Sequence, residues 1–284
     1  MRDYDSISDL SFVQMWSPVM IGILLFIGAI YIWSVHSYEK RHTVKLEKKG
    51  MKLFFFLAGL LAFYIAEGSP VKAIGHHFFF SVHMFSMSVI YFVFPPLLLA
   101  GLYEWMVIPV IRVTPVKFVL KILLKPLLAV SLFNLFLSFY HIPIFFDAIM
   151  SDMTYMILAN IFLIFLAFIM WWVIIPPTDE LGTIDNPKKL IYVFFASVLL
   201  TPACAMITFA PGMLYESVAT EPVIWIMSRL EDQHTGGVVM KVMQEIVFIA
   251  TFGYIFFKWF RQERETNKSN DLNPSTDALR PQLK

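Results

Sequence analysis

The hydrophobic pattern of the chain is blocky. Seven stretches with almost no charge alternate with short segments that hold most of the charged residues. A helix that crosses a bilayer needs about 20 mostly apolar residues. The stretches run from about Trp16 to Val35, Leu53 to Glu67 (extendable to Met51 and Gly68), His77 to Gly101, Pro126 to Ile142, Met153 to Ile175, Leu190 to Phe209 and Val238 to Phe260. Pro95 and Pro96 in the third stretch and Pro202 in the sixth predict kinks or ends, because proline lacks a backbone donor and crowds the preceding turn. The segment from Trp105 to Leu124 is apolar, but Pro109 and Pro115 interrupt it and cations dot it. It predicts an amphipathic segment at the membrane interface rather than an eighth span. The pattern as a whole predicts an all-α membrane protein, a seven-transmembrane-helix bundle over residues 1–262. The polar tail, residues 263–284, is expected to be disordered.

Composition agrees. Hydrophobic residues make up 58% of the 284 and charged residues 15%, against about 25% charged in a typical soluble domain. A net charge of +1 gives no reason to expect a nucleic-acid partner; the bilayer is the expected medium. The single cysteine, Cys204, rules out an intramolecular disulfide. The N-terminus, MRDYDSISDL, lacks the basic start and short apolar core of a cleavable leader, so the first stretch is expected to remain as a helix.

Charge adds an orientation. The loop after the first stretch carries Lys40, Arg41, Lys45, Lys48, Lys49 and Lys52. The loop after the third carries Arg112, Lys117, Lys121 and Lys125, the loop after the fifth Lys188 and Lys189, and the C-terminal segment six more cations. Only Arg2, Lys72, Arg229 and Lys241 fall on the other side. Cytoplasmic loops are enriched in Lys and Arg, so the expected topology has the N-terminus outside and the C-terminus cytoplasmic.

That topology sorts the histidines. His36 and His42 lie in the basic first loop, while His76, His77, His83, His141 and His234 gather near the opposite face. Ionisable groups at or within a membrane are costly and suggest function. His76, Phe80, His83 and Met87 are spaced four, three and four residues apart, the spacing of one helical face, and Met84 is adjacent. Imidazole and thioether together suit copper, and thioethers lean towards Cu(I). The candidate metal ligands are therefore His83, Met84, Met87, His141, His76 and His234. Met206, Met213, Met240 and Met243 lie at a similar level, although methionine in membrane helices is usually an adaptable packing residue. Cys204 reads as a small buried residue. Glu67, Asp147, Asp152, Glu216, Glu221, Glu231 and Asp232 share the same side, where acidic loops are ordinary. Glu245 and Gln244 fall inside the seventh stretch and require partners there.

Several motifs carry a resemblance. HMFSMSVIYFVFPPLLLAG (His83 to Gly101) resembles a signature of the CtaG family of bacterial cytochrome c oxidase assembly factors, in which His-Met-x-Gln-His precedes an apolar run and Pro-Pro-Leu-Leu. YHIPIFFDAIM is similar to that family's His-x-Pro-x-x-Tyr-Asp motif through His141, Pro143 and Asp147. Trp171 and Trp172 match a Trp-Trp pair, and ITFAPGMLY resembles the segment after the sixth helix. Asp232, Gln233, Gly236, Gly237 and Met240 match an Asp-Gln-x-x-Gly-Gly-x-x-Met pattern. The resemblance covers about Trp16 to Phe260. It implies a multi-pass protein of the bacterial plasma membrane that helps mature a haem–copper oxidase, with oxidase subunits as partners and a role in copper supply. Met87 and Ser86 depart from the family's histidine and glutamine, and Asn160 stands where helix five has a histidine.

The leading expectation is an oxidase assembly factor that binds Cu(I) at the outer membrane surface and aids its insertion. The alternatives are a metal-free scaffold for an oxidase subunit and a haem- or quinone-binding membrane oxidoreductase. A retinal photoreceptor is disfavoured, since Lys241 lies near an end of its helix. No Gly-x-Ser-x-Gly, phosphate-binding loop or His-Glu-x-x-His motif is present, and no enzymatic activity is expected.

Overall fold

The computed structural model describes residues 10–182, 184–219 and 227–272. Arg2, Glu221 and the tail beyond Leu272 lie outside them. The described residues form helices and loops only. In order the helices are α1 (Phe12–Trp16), α2 (Pro18–His42), α3 (Lys49–Glu67), α4 (Pro70–His77), α5 (Phe80–Ser88), a π-helical turn (Val89–Val93), α6 (Phe94–Gly101), α7 (Glu104–Ile111), α8 (Thr114–Leu123), α9 (Pro126–Tyr140), α10 (Pro143–Met150), α11 (Met153–Ile174), α12 (Asn186–Leu199), α13 (Thr201–Thr208), α14 (Glu216–Ala219) and α15 (Arg229–Leu272).

Six helical stretches are long and apolar enough to cross a membrane: 12–42, 49–77, 80–101, 153–174, 186–208 and 229–267. The fourth expected span differs. Helix α9 has 15 residues, so its axis is only about 22 Å long at the usual rise, short of a hydrocarbon core of about 30 Å. It reaches spanning length only together with α8, which meets it at a bend of 80°. The bundle therefore has six candidate spans, or seven if that bent pair counts as one. Pro126, at the first position of α9, accounts for the break: α8 ends before it, since a residue preceding proline is pushed out of helical geometry. The last helix also continues past the seventh stretch, through Leu272.

The outside of the bundle is apolar. Helix α2 buries only Gly28, Tyr31 and Val35 in 25 residues, and exposed Ile, Leu and Phe side chains run along α11 and α15. The core holds the larger aromatics. Phe92 meets Phe133 at 5.9 Å and Phe248 at 5.7 Å between ring centres, and Trp171 meets Phe248 at 5.4 Å. Two of the basic loops lie together at one end, where Arg112 pairs with Glu180 at 2.9 Å and Lys117 approaches the same carboxylate at 3.8 Å. These contacts hold Glu180 below the usual carboxylate range, first through the Arg112 hydrogen bond.

Side chains from other spans bond backbone carbonyls at two of the expected proline breaks. Pro95 cannot donate to the carbonyl four residues earlier, that of Tyr91. The helix widens into the π-turn before Pro95 and Pro96, and the indole N–H of Trp171 donates to the Tyr91 carbonyl at 3.0 Å. At Pro202 the sixth span divides into α12 and α13. There Lys241 and Gln244 donate to the Ser197 carbonyl at 2.9 and 3.2 Å, and Gln244 also reaches the Ala196 carbonyl. The polar pair expected to need partners thus has them: Glu245 accepts from Lys241 at 2.6 Å and from the Ser197 hydroxyl at 2.7 Å.

The Trp171→Phe variant keeps a buried ring but strands the Tyr91 carbonyl. It is expected to lose about 1–3 kcal/mol of stability, the cost of an unsatisfied buried acceptor, read as a lower thermal unfolding midpoint in detergent micelles.

Candidate functional site

At the end of the bundle opposite Glu180, the chain between the second and third spans leaves helical geometry. Helix α4 ends at His77, and Phe79 is extended at φ −131°, ψ 116°. The stripe expected from His76 to Met87 is therefore divided. His76 belongs to α4, while Phe80, His83 and Met87 share a face of α5. The reason is a cap supplied from far away in sequence. The carboxyl group of Asp232, on α15, accepts from the backbone N–H of Phe80 at 2.6 Å, from that of Ser81 at 3.1 Å and from the Ser81 hydroxyl. These are the free donors of a helix start, and Asp232 is fully buried in meeting them.

The rest of that α15 motif is also structural. Gln233 accepts from the Leu214 N–H at 2.8 Å and donates to the Gly212 carbonyl, holding the loop after α13. A Cβ on Gly236 would sit 2.5 Å from the Phe80 ring, and one on Gly237 3.0 Å from the Cys204 carbonyl. Both glycines let α15 lie directly on α5 and α13. Met84 packs against Gly236, on the α15 side of α5. His234 spends its Nε2 on the Ala210 carbonyl at 2.9 Å. Cys204 is a buried free thiol.

His141 approaches from the turn between α9 and α10. Pro143 opens α10, and Asp147 accepts from the N–H groups of Glu216 and Ser217 at 3.1 and 3.0 Å. The Tyr215 hydroxyl donates to the His141 carbonyl at 2.8 Å. Tyr215 stands 4.2 Å from Phe146 and 5.2 Å from Phe80 between ring centres, and Phe146 lies edge-on to His83 at 6.1 Å. One aromatic cluster thus connects the surroundings of the two histidines.

Both imidazoles are buried, His141 completely. The Nδ1 of His141 lies 2.7 Å from the Leu137 carbonyl. A carbonyl can only accept, so Nδ1 carries the proton and Nε2 keeps its lone pair. That Nε2 is buried without a hydrogen-bond partner, and so is the Nε2 of His83. His83 lies within electrostatic reach of Lys72, His76 and His141, in falling order of effect. Of the six candidate ligands, His83, His141 and His76 each keep a buried ring nitrogen without a hydrogen-bond partner, and Met87 lies on the His83 face of α5. Among the described residues no three His, Cys, Asp or Glu side chains converge to hold a metal ion.

The family model for the cytochrome c oxidase caa3 assembly factor (Caa3_CtaG) matches residues 14–262, most of the chain. The chain belongs to that family. No curated protein and no solved structure is matched significantly. In this chain the motif residues Asp232, Gln233, Gly236 and Asp147 serve as joints between helices, and they frame the two histidines.

A second polar group adjoins them. The Tyr91 hydroxyl donates to Asn160 at 2.8 Å, Asn160 donates to Glu67 at 3.1 Å, and Glu67 pairs with Lys72 at 3.0 Å. Glu67 and Lys72 line a cavity of about 660 Å³ with His76, His77 and three methionines, Met150, Met153 and Met156. Sequence reasoning passed over those methionines, whose three-residue spacing was the available signal.

Asp232→Ala removes the α5 cap and is expected to cost about 2 kcal/mol, at the upper end for helix caps, while Asp232→Asn retains most of it. Thermal unfolding of the two variants in the same detergent measures the difference.

Proposed function

We propose that this caa3 assembly factor holds Cu(I) between His83 and His141 as cargo for the oxidase, with the thioether of Met87 as a third donor. The observation that carries the reading is the pair of buried Nε2 atoms without hydrogen-bond partners. Buried polar atoms are nearly always satisfied, and exceptions need an explanation. A neutral imidazole is a good ligand for copper, and soft thioethers favour its reduced state. The Leu137 carbonyl fixes the His141 tautomer with the lone pair on Nε2, as outer partners do for ligating histidines. Few donors and a shell of Phe80, Phe146 and Tyr215 suit an ion that is bound and then passed on. Met84, packed against Gly236, and His234, tied to Ala210, act through packing rather than as ligands in this reading.

The protein would sit in a bacterial plasma membrane, with its N-terminus outside, its C-terminus cytoplasmic and the histidines near the outer face. The alternating basic loops support this orientation. An assembly-factor family implies a non-enzymatic role and gives no support to an oxidoreductase. One observation favours a second reading, the metal-free scaffold: α2 buries three residues and leaves its other faces open, as a helix that docks on an oxidase subunit would.

The two readings separate in one comparison. Protein purified from its own membranes under reducing conditions is analysed for copper, and a deletion strain is complemented for oxidase assembly. Relative to wild type, His83→Ala with His141→Ala is expected to lose one equivalent of copper and to leave the oxidase unassembled. Unchanged copper and normal oxidase would overturn the copper reading. Retained co-purification with an oxidase subunit and normal assembly would favour the scaffold.

A further inference from the structure

We propose that the cavity beside α4 is a separate Cu(I)-loading site, built from the thioethers of Met150, Met153 and Met156 and the imidazole of His76. The inference rests on the copper reading of the preceding section and adds to it the place where the ion is first taken up.

The three methionines come from two helices and face one space. Met150 ends α10 and Met153 begins α11. Asp152 caps α11 by accepting from the Thr154 N–H at 2.6 Å, so the chain turns sharply and keeps Met150 beside the start of α11. Met153 and Met156 are three residues apart on that helix, hence on one side of it. All three line the cavity with His76 and His77. Across it, the Nδ1 of His76 is buried without a hydrogen-bond partner, and the His76 and His77 rings are 4.7 Å apart.

A methionine in a membrane helix ordinarily serves as packing. Met153, at the start of α11, is 69% exposed and so is not packed inside the bundle. A hard or borderline cation fits poorly. Glu67, the carboxylate of the cavity, is engaged by Lys72 and Asn160, and no trio of His, Cys, Asp or Glu converges among the described residues. Zn²⁺ usually takes such a set, whereas thioethers with imidazole select Cu(I).

The cavity also adjoins the buried pair. Gly75, next to His76, lies so close to α5 that a Cβ there would be 2.7 Å from the His83 backbone nitrogen. An ion at His76 is therefore one helix contact from His83.

The test is a Cu(I) titration of the full-length protein in detergent micelles, anaerobic and reduced, in competition with a chromophoric Cu(I) chelator. Met150→Leu, Met153→Leu and Met156→Leu are combined, since leucine keeps methionine's volume at small cost. Wild type is expected to bind two Cu(I), and the triple variant one. The variant His83→Ala with His141→Ala is also expected to bind one, and X-ray absorption of that remaining copper should show sulfur scatterers. Two equivalents on the triple variant, or a shell of nitrogen and oxygen alone on the histidine variant's copper, would overturn the proposal. Loss in the triple variant alone, with none in the histidine variant, would sink the buried site and leave this one standing. Should the triple variant fail to fold, the absorption spectrum of the histidine variant still decides.

Discussion

The fold depends on satisfying backbone polar groups where water cannot. A chain inside a bilayer must find a partner for every N–H and carbonyl within itself, yet this one interrupts its helices repeatedly. The interruptions are repaired by side chains brought from other spans. Asp232 of α15 supplies the start of α5. Trp171 of α11 takes up the carbonyl that Pro95 abandons. Lys241 and Gln244 of α15 bond the Ser197 and Ala196 carbonyls near the division of α12 from α13. Each repair ties two spans at a fixed depth, so the same bonds that make the breaks tolerable also set how the helices lie against one another.

This economy gives meaning to the exceptions. In a structure where even Gln244 and Glu245 find partners within the helices, the buried Nε2 atoms of His83 and His141 have none, as is also true of His76 Nδ1 and the Tyr103 hydroxyl. The surroundings of the two Nε2 atoms are not loose. Tyr215 bonds the His141 backbone, Asp147 bonds the loop beside Tyr215, and Asp232 fixes the first turn of α5. Hydrogen bonds hold the surroundings while these two nitrogens accept none, an arrangement that suits a preorganised site.

Much of the fold was legible because lipid imposes a coarse rule: about 20 apolar residues, then a loop. That rule found six spans and the positions of the prolines. It did not show that α9 reaches spanning length only with α8, because hydropathy counts residues and does not see the 80° bend between the two. It also ran His76 into α5, since Phe78 and Phe79 are as apolar as their neighbours and nothing local announces the break. The cap that causes it lies about 150 residues away, at Asp232. The site was legible in part for the same reason. His83 and His141 were visible as ionisable residues near one face, but whether a nitrogen is spent, as at His234, or spare, as at His141, depends on a carbonyl that only the folded chain places.

Met87 and Asn160 show how a departure from the family pattern can be read physically. Asn160 has become the middle of a hydrogen-bonded chain from Tyr91 to Glu67 and Lys72, so it has a structural employment that a histidine ligand would not share. Met87 remains on the His83 face of α5, buried and apolar. A thioether there makes the donor set softer than two imidazoles and a third would be, and softness narrows the choice of metal towards the reduced copper ion. The neighbouring cavity is softer still, with three methionines and its carboxylate already paired. The two places differ in exposure but agree in chemistry, and that agreement, at adjoining positions of one bundle end, is the argument for reading them as successive stations for the same ion.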